Sequence, residues 1–326
     1  FLLLLKGVID CPDLPLNVSR SALQNDGFVQ KISEYIAKKV ADKLTGMCKT
    51  DREAYEKYWD DISPFIKFGC IKDSKFADKL HDYILFKDLD NKYLTLKDCI
   101  EANKKEEAEH TEEETQENAE ENKDEKEPEK TTVFYVTDPV QQSQYINMFK
   151  EAGKNAVILS HNIDTAFISH LEQRDQTLQF KRIDADLTEE LKGGDAADDD
   201  TAKTLTELFR KNLNKEKLEV KVESLKNEAV SAMMMLSEES RRMQDMMKMY
   251  NMYGMDPGMF GGQETLVLNI NHPLVKFLAE NQESEHAAVI CEQLYDLAMI
   301  SHKQLSPDEM TKFVQRSNDI LMLLTK

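Results

Sequence analysis

The residues best suited to chemistry lie near the start of the sequence, in Leu14-Pro15-Leu16-Asn17-Val18-Ser19-Arg20-Ser21-Ala22-Leu23-Gln24. Arg20 is a planar, permanently charged donor fork of the kind that holds anionic oxygens. An ordinary surface arginine in a loop before a helix has the same local appearance. His272, in Asn269-Ile270-Asn271-His272-Pro273-Leu274-Val275-Lys276, has no acidic or cysteine partner at a telling spacing and reads as structural. Pro273 suits the first position of a helix, with His272 or Asn271 as its cap. Neither Cys70 nor Cys291 stands beside a base that would make it a nucleophile. The sequence carries no Gly-rich phosphate loop, Walker lysine motif or Cys/His metal cluster, so the chain is expected to bind neither nucleotide nor metal by itself.

Two further groups of residues could bind rather than react. Ten of the fifteen methionines fall between Met233 and Met259, and Met243, Met246, Met247 and Tyr250 recur at helical spacing. Methionine is unbranched and polarizable, so such a stripe adapts to many apolar partners; core packing is the alternative. Near the end, Val289 to Ile300 reads as an almost continuous apolar helix containing Leu294 and Leu297. Ser306-Pro307-Asp308-Glu309 is a capping box opening a last helix with Met310, Phe313, Ile320 and Leu324. Two such helices cannot bury their stripes on each other alone, whereas a symmetry mate completes a four-helix bundle.

The elements expected to position these residues follow from periodicity. From Asp26, the apolar Val29, Ile32, Ile36, Val40 and Leu44 predict a helix, and Thr50 with Glu53 forms a capping box for a second. That helix should present Tyr55, Trp59, Ile62 and Ile66 on one face and be bent or shortened by Pro64. Glu101 to Lys130 holds 14 acidic residues against 5 lysines and reads as a disordered, solvated insertion. Strands are expected at Val133–Val136, Ala156–Leu159 and Leu178–Ile183, with helices opening at Asp138-Pro139 and spanning Ile163–Leu171, giving an αβα layer with a partly parallel sheet. Lys192-Gly193-Gly194 and the acidic run after it look like a linker. Beyond them come a helix through Leu205, Leu208 and Phe209, a strand Leu218–Leu225, the Met-rich segment and a strand Leu266–Ile270.

The 326 residues and formal charge of −19 fit two or three domains and disfavour nucleic acid or an anionic membrane as partners. Five scattered cysteines without a Cys-x-x-Cys pair suit a reducing compartment, the cytoplasm. The apolar Phe1 to Leu5 is too short to span a bilayer, and it reads as beginning inside a strand of a larger protein.

The segment Leu14 to Gln24, preceded by Lys6-Gly7-Val8-Ile9-Asp10, resembles the catalytic loop in the middle domain of the heat shock protein 90 family, bacterial type. Ser21 stands where that family usually has Glu. Asn269 to Lys276 resembles the family's Asn-Pro-x-His-Pro, with Ile270 replacing the first proline. The resemblance implies an α/β and α+β multidomain chain. Its parts would be the end of the large middle-domain layer with the catalytic loop (1–25), a helical connector (26–70), a small αβα layer (71–195) and a C-terminal dimerisation domain (196–326). It implies that Arg20, assisted by Gln24, reaches the γ-phosphate of an ATP held with Mg²⁺ in a separate N-terminal domain, and that the chain alone is inactive as an ATPase. It further implies client binding through Trp59, Met243, Met246, Met247 and Tyr250. Homodimerisation would run through Leu294, Leu297, Phe313, Ile320 and Leu324. The alternative is a stand-alone dimeric scaffold that binds amphipathic helices through its Met surface.

Overall fold

The computed structural model describes residues 27–101, 130–185, 191–194, 197–237, 242, 264–323 and 325. In chain order the elements are α1 (Gly27–Thr50), α2 (Arg52–Lys72), α3 (Ser74–Leu80), β1 (Leu85–Asp88), β2 (Tyr93–Thr95), β3 (Thr131–Val136), α4 (Ser143–Glu151), β4 (Val157–Ile158) and α5 (Ile163–Arg174). There follow β5 (Leu178–Arg182), α6 (Asp199–Leu213), β6 (Glu219–Glu223), β7 (Ala232–Met235), β8 (Thr265–Asn269), α7 (Pro273–Glu280), α8 (Ala287–Ile300) and α9 (Pro307–Leu323). The fold is mixed α/β, as the sequence predicts. Among the described residues no helix is long and apolar enough to cross a membrane.

Two compact units emerge: Phe1–Val133 with Leu159–Phe180, and Phe134–Ile158 with Lys181–Lys326. In the first, α1 to α3 follow one another almost without loops because side chains terminate and restart the helix. Thr50 donates its hydroxyl to the Gly46 carbonyl, and Asp51, not Thr50, caps α2 by accepting from the Ala54 amide at 3.2 Å. Asp73 repeats the device for α3, accepting from the Phe76 amide. Pro64 does not end α2, which runs on to Lys72. Tyr55, Trp59 and Ile66 are buried on one face of α2 as its periodicity requires, and the Tyr55 hydroxyl donates to the Tyr83 carbonyl.

Lys67 is the exception on that face: its Nζ lies 2.5 Å from Oδ1 of Asp164 on α5, and both side chains are buried. The Phe86 and Phe167 rings flank the ammonium, and Oδ2 of Asp164 accepts from the His161 amide. An isolated charge this deep would be very costly, so α2 and α5 are tied by a pair that must stay together. β1 and β2 pair antiparallel through a turn in which Asp88 accepts from the Asp90 and Lys92 amides and Asn91 takes positive φ.

In the second unit, β3 and β4 pair in parallel, Tyr135 against Val157. Asp138-Pro139 opens a turn rather than a helix: Asp138 Oδ1 accepts from Val140 and Gln141, and α4 starts at Ser143. A three-stranded sheet has the order β6-β8-β7, with β6 parallel and β7 antiparallel to β8. Leu205 and Phe209 of α6, Leu266 and Leu268 of β8, and Cys291 and Leu294 of α8 close one core. Met233, Met234 and Met235, which the sequence placed only in a Met-rich segment between two strands, form the buried strand β7.

Lys192 and Gly193, expected in a linker, are stitched to this unit. Gly193 donates to the Ser224 carbonyl at 2.9 Å, and Lys192 bridges to Leu225. A side chain at Gly193 would meet the Lys226 backbone at 2.9 Å, so only glycine permits the approach.

Candidate functional site

The motif from Asn269 to Pro273 is held by its own side chains. Asn269 closes β8 fully buried; its Oδ1 accepts from the Leu225 and Asn271 amides, and its Nδ2 donates to the Asn227 and Val230 carbonyls. Asn271 Nδ2 donates to Ser224 Oγ and the Leu225 carbonyl. The two asparagines therefore lock the strand ends that launch α7. His272 is the N-cap, its Nδ1 accepting from the Leu274 amide, with Pro273 next. Accepting at Nδ1 requires the neutral ring, and burial holds His272 below the ordinary histidine value, which favours that form. His272 is structural, as its sequence context indicates.

The surface that could associate lies on α8 and α9. The inner face of α8 places Ala287, Cys291, Leu294, Ala298 and Met299 in the core. α9 buries no residue fully, and Arg316 pins it to α8. Arg316 Nε donates to Gln293 at 2.9 Å, Nη1 to Glu292 at 2.9 Å and Nη2 to Asp296. The capping box forms as its sequence predicts: Glu309 accepts from the Ser306 amide and hydroxyl, which hold its carboxyl below the usual range.

With Arg316 facing α8, Phe313 and Ile320 are half-buried. Leu297, Met310, Val314, Leu321, Met322 and Leu323 remain between 41% and 59% exposed. Met310, Val314 and Leu321 recur at spacings that share one helix face, so α9 shows an apolar row to solvent.

The residues singled out in the sequence fare differently. Arg20, Gln24, Met243, Met246, Met247, Tyr250 and Leu324 lie outside the described residues, as does most of Glu101–Lys130. Trp59 is buried against Tyr55 at 5.3 Å between ring centroids, and Leu294 is buried in its own core. A side chain that meets a client or a second subunit has to be accessible, so neither is carried forward. Leu297, Phe313 and Ile320 are accessible in whole or part. Arg316, Val314 and Leu321 went unnoticed in the sequence, although the spacing from Met310 to Val314 and Leu321 marks the row.

A family model described as Hsp90 protein matches residues 1–110. The protein named Chaperone protein htpG of Bacteroides fragilis (strain YCH46) is 36% identical over 302 residues, 89% of this chain and 41% of its own length. The chain belongs to the Hsp90 family. Other Hsp90-family relatives, each named Chaperone protein HtpG, come from Bacteroides thetaiotaomicron (34% identical, 87% of this chain, 40% of the relative) and Porphyromonas gingivalis ATCC 33277 (33%, 87% and 40%). The chain thus spans about two-fifths of the length of these HtpG-type relatives.

Proposed function

We propose that the chain is part of an ATP-dependent molecular chaperone that binds unfolded or partly folded clients and dimerises through its C-terminal helices. Similarity to HtpG-type chaperones over 89% of the chain carries this reading. ATP and Mg²⁺ would be held by a part of the protein outside this chain. Arg20 would be the chain's contribution to hydrolysis, stabilising charge on the γ-phosphate oxygens, with Gln24 beside it. Bringing that charge in from another domain makes turnover depend on domain docking, which can couple ATP hydrolysis to a change of shape around a client. Met243, Met246, Met247 and Tyr250 supply an adaptable apolar surface for clients. We place the protein in the cytoplasm.

The exposed row on α8 and α9 supports the dimer. Each of Leu297, Val314, Leu321, Met322 and Leu323 would contribute about 1 kcal/mol on burial of its exposed half, twice over in a symmetric pair, or roughly 10 kcal/mol gross. That is on the order of the cost of association, roughly 4–15 kcal/mol, so a single charge in the row should decide the outcome. Light scattering on the purified chain is expected to give the dimer mass, and Leu321→Glu the monomer mass with unchanged circular dichroism. A monomeric parent chain, or a Leu321→Glu variant still dimeric at low micromolar concentration, would remove α9 from the interface.

A further inference from the structure

On the first unit, a groove of about 290 Å³ runs between α1 and α3, and none of its lining residues is among those assigned a part in hydrolysis, client binding or dimerisation. Four of its nine lining residues are lysines, Lys31, Lys38, Lys75 and Lys79, in a chain whose net charge is −19. Ala37 and Phe76, both buried, supply an apolar floor, while Tyr35 stands 60% exposed at its edge.

The carboxylates at the groove are already committed. Glu34 is paired with Lys75 at 3.5 Å, and Asp73 is spent capping α3. Asp42, just outside, is bound by Lys79 at 2.5 Å, and its carboxyl is held low mainly by that bond, with Lys38 and Lys39 adding to the effect. Lys31 and Lys38 make no ion pair among the described residues. A cationic rim over an apolar floor matches a ligand of opposite charge that carries an apolar side chain.

We propose that the groove between α1 and α3 is a docking site for an acidic peptide segment of a partner protein. An apolar residue of the segment would pack on the exposed Tyr35 ring, with flanking carboxylates on Lys31 and Lys38. A nucleic-acid strand fits less well: two committed carboxylates and an apolar floor leave no continuous track for a phosphate backbone.

The test is fluorescence anisotropy of the whole chain with a labelled twelve-residue peptide, Asp- and Glu-rich around a Leu-Phe pair. Saturable binding is expected, weakened about tenfold by raising NaCl from 50 to 300 mM, since the contacts are exposed. Lys31→Glu with Lys38→Glu should weaken it at least about tenfold, and Tyr35→Ala roughly threefold, by reversing or removing direct contacts. Glu34→Gln should tighten binding, because it frees Lys75. These positions are on the surface, and circular dichroism verifies that each variant folds. The absence of saturation, equal binding of a peptide with Gln for Glu and Asn for Asp, or indifference to the double lysine variant would each overturn the proposal. Equal competition by a single-stranded oligonucleotide would also overturn it, assigning the groove to polyanions in general.

Discussion

Replacing Lys67 with methionine keeps the aliphatic stem between Phe86 and Phe167 but strips the ammonium from Asp164, whose side chain is only 3% exposed. A carboxylate left buried without its partner typically costs about 3–5 kcal/mol. For a domain of 150–250 residues each kcal/mol lowers the melting temperature by roughly 2–4 °C, so Lys67→Met should fall by about 6–20 °C. The double variant Lys67→Met/Asp164→Leu removes both charges together. It should recover much of the loss, retaining about 1 kcal/mol for the bond from the His161 amide that Asp164 also accepts. Urea unfolding of the four proteins of this double-mutant cycle, followed through Trp59 fluorescence, reads the coupling directly. A single variant that loses less than about 1 kcal/mol, or a double variant that loses the sum of the two singles, would show that the pair is not the clamp between α2 and α5.

Other consequences can be checked independently. Arg316→Ala should release α9 from α8, raising amide exchange along Pro307–Leu323 by roughly 10-fold or more, as for the loss of charged hydrogen bonds worth about 1.5–3 kcal/mol each; exchange unchanged from the parent chain would contradict the clamp. Asn269→Ala strands the Leu225 amide and the Asn227 and Val230 carbonyls inside the fold and should cost about 3 kcal/mol or more in thermal or urea unfolding. Cys70, Cys99 and Cys291 are pushed up to about 12 by burial and should resist a thiol reagent at pH 8 until the chain unfolds. Because folding raises these thiols, their stabilising contribution is complete below the unfolded value and lost as pH climbs towards 12. The melting temperature should therefore fall between pH 8 and pH 10, and a rise would contradict the assignment.

Helix boundaries set by periodicity and short polar caps are legible from sequence alone. Val29, Ile32, Ile36, Val40 and Leu44 mark α1, Ser306 with Glu309 marks the start of α9, and His272-Pro273 marks α7. Where two residues could do the same job the outcome depends on three-dimensional competition. Thr50 satisfies the end of α1 and leaves Asp51 to cap α2, and Asp138 is spent in a turn. β1 and β2 escaped notice because runs as short as Leu85–Asp88 and Tyr93–Thr95 carry little periodicity.

Contacts distant in sequence were the least legible. Nothing local links Lys67 to Asp164, Asn269 to Val230, or Gly193 to Ser224, and the last of these turned an expected linker into part of the second unit. Met233 to Met235 resemble the methionines that follow them in composition; only pairing with β8 reveals a buried strand.

The reading of this chain as the arginine-donating, dimerising part of a chaperone is tested most directly by ATP turnover in the protein extended to the length of its HtpG-type relatives. Arg20→Ala should lower kcat at least about tenfold while leaving nucleotide affinity nearly unchanged, since an arginine acting on the transferring phosphoryl group stabilises the transition state rather than the bound ground state. An Arg20→Ala protein with the parent's kcat would contradict it.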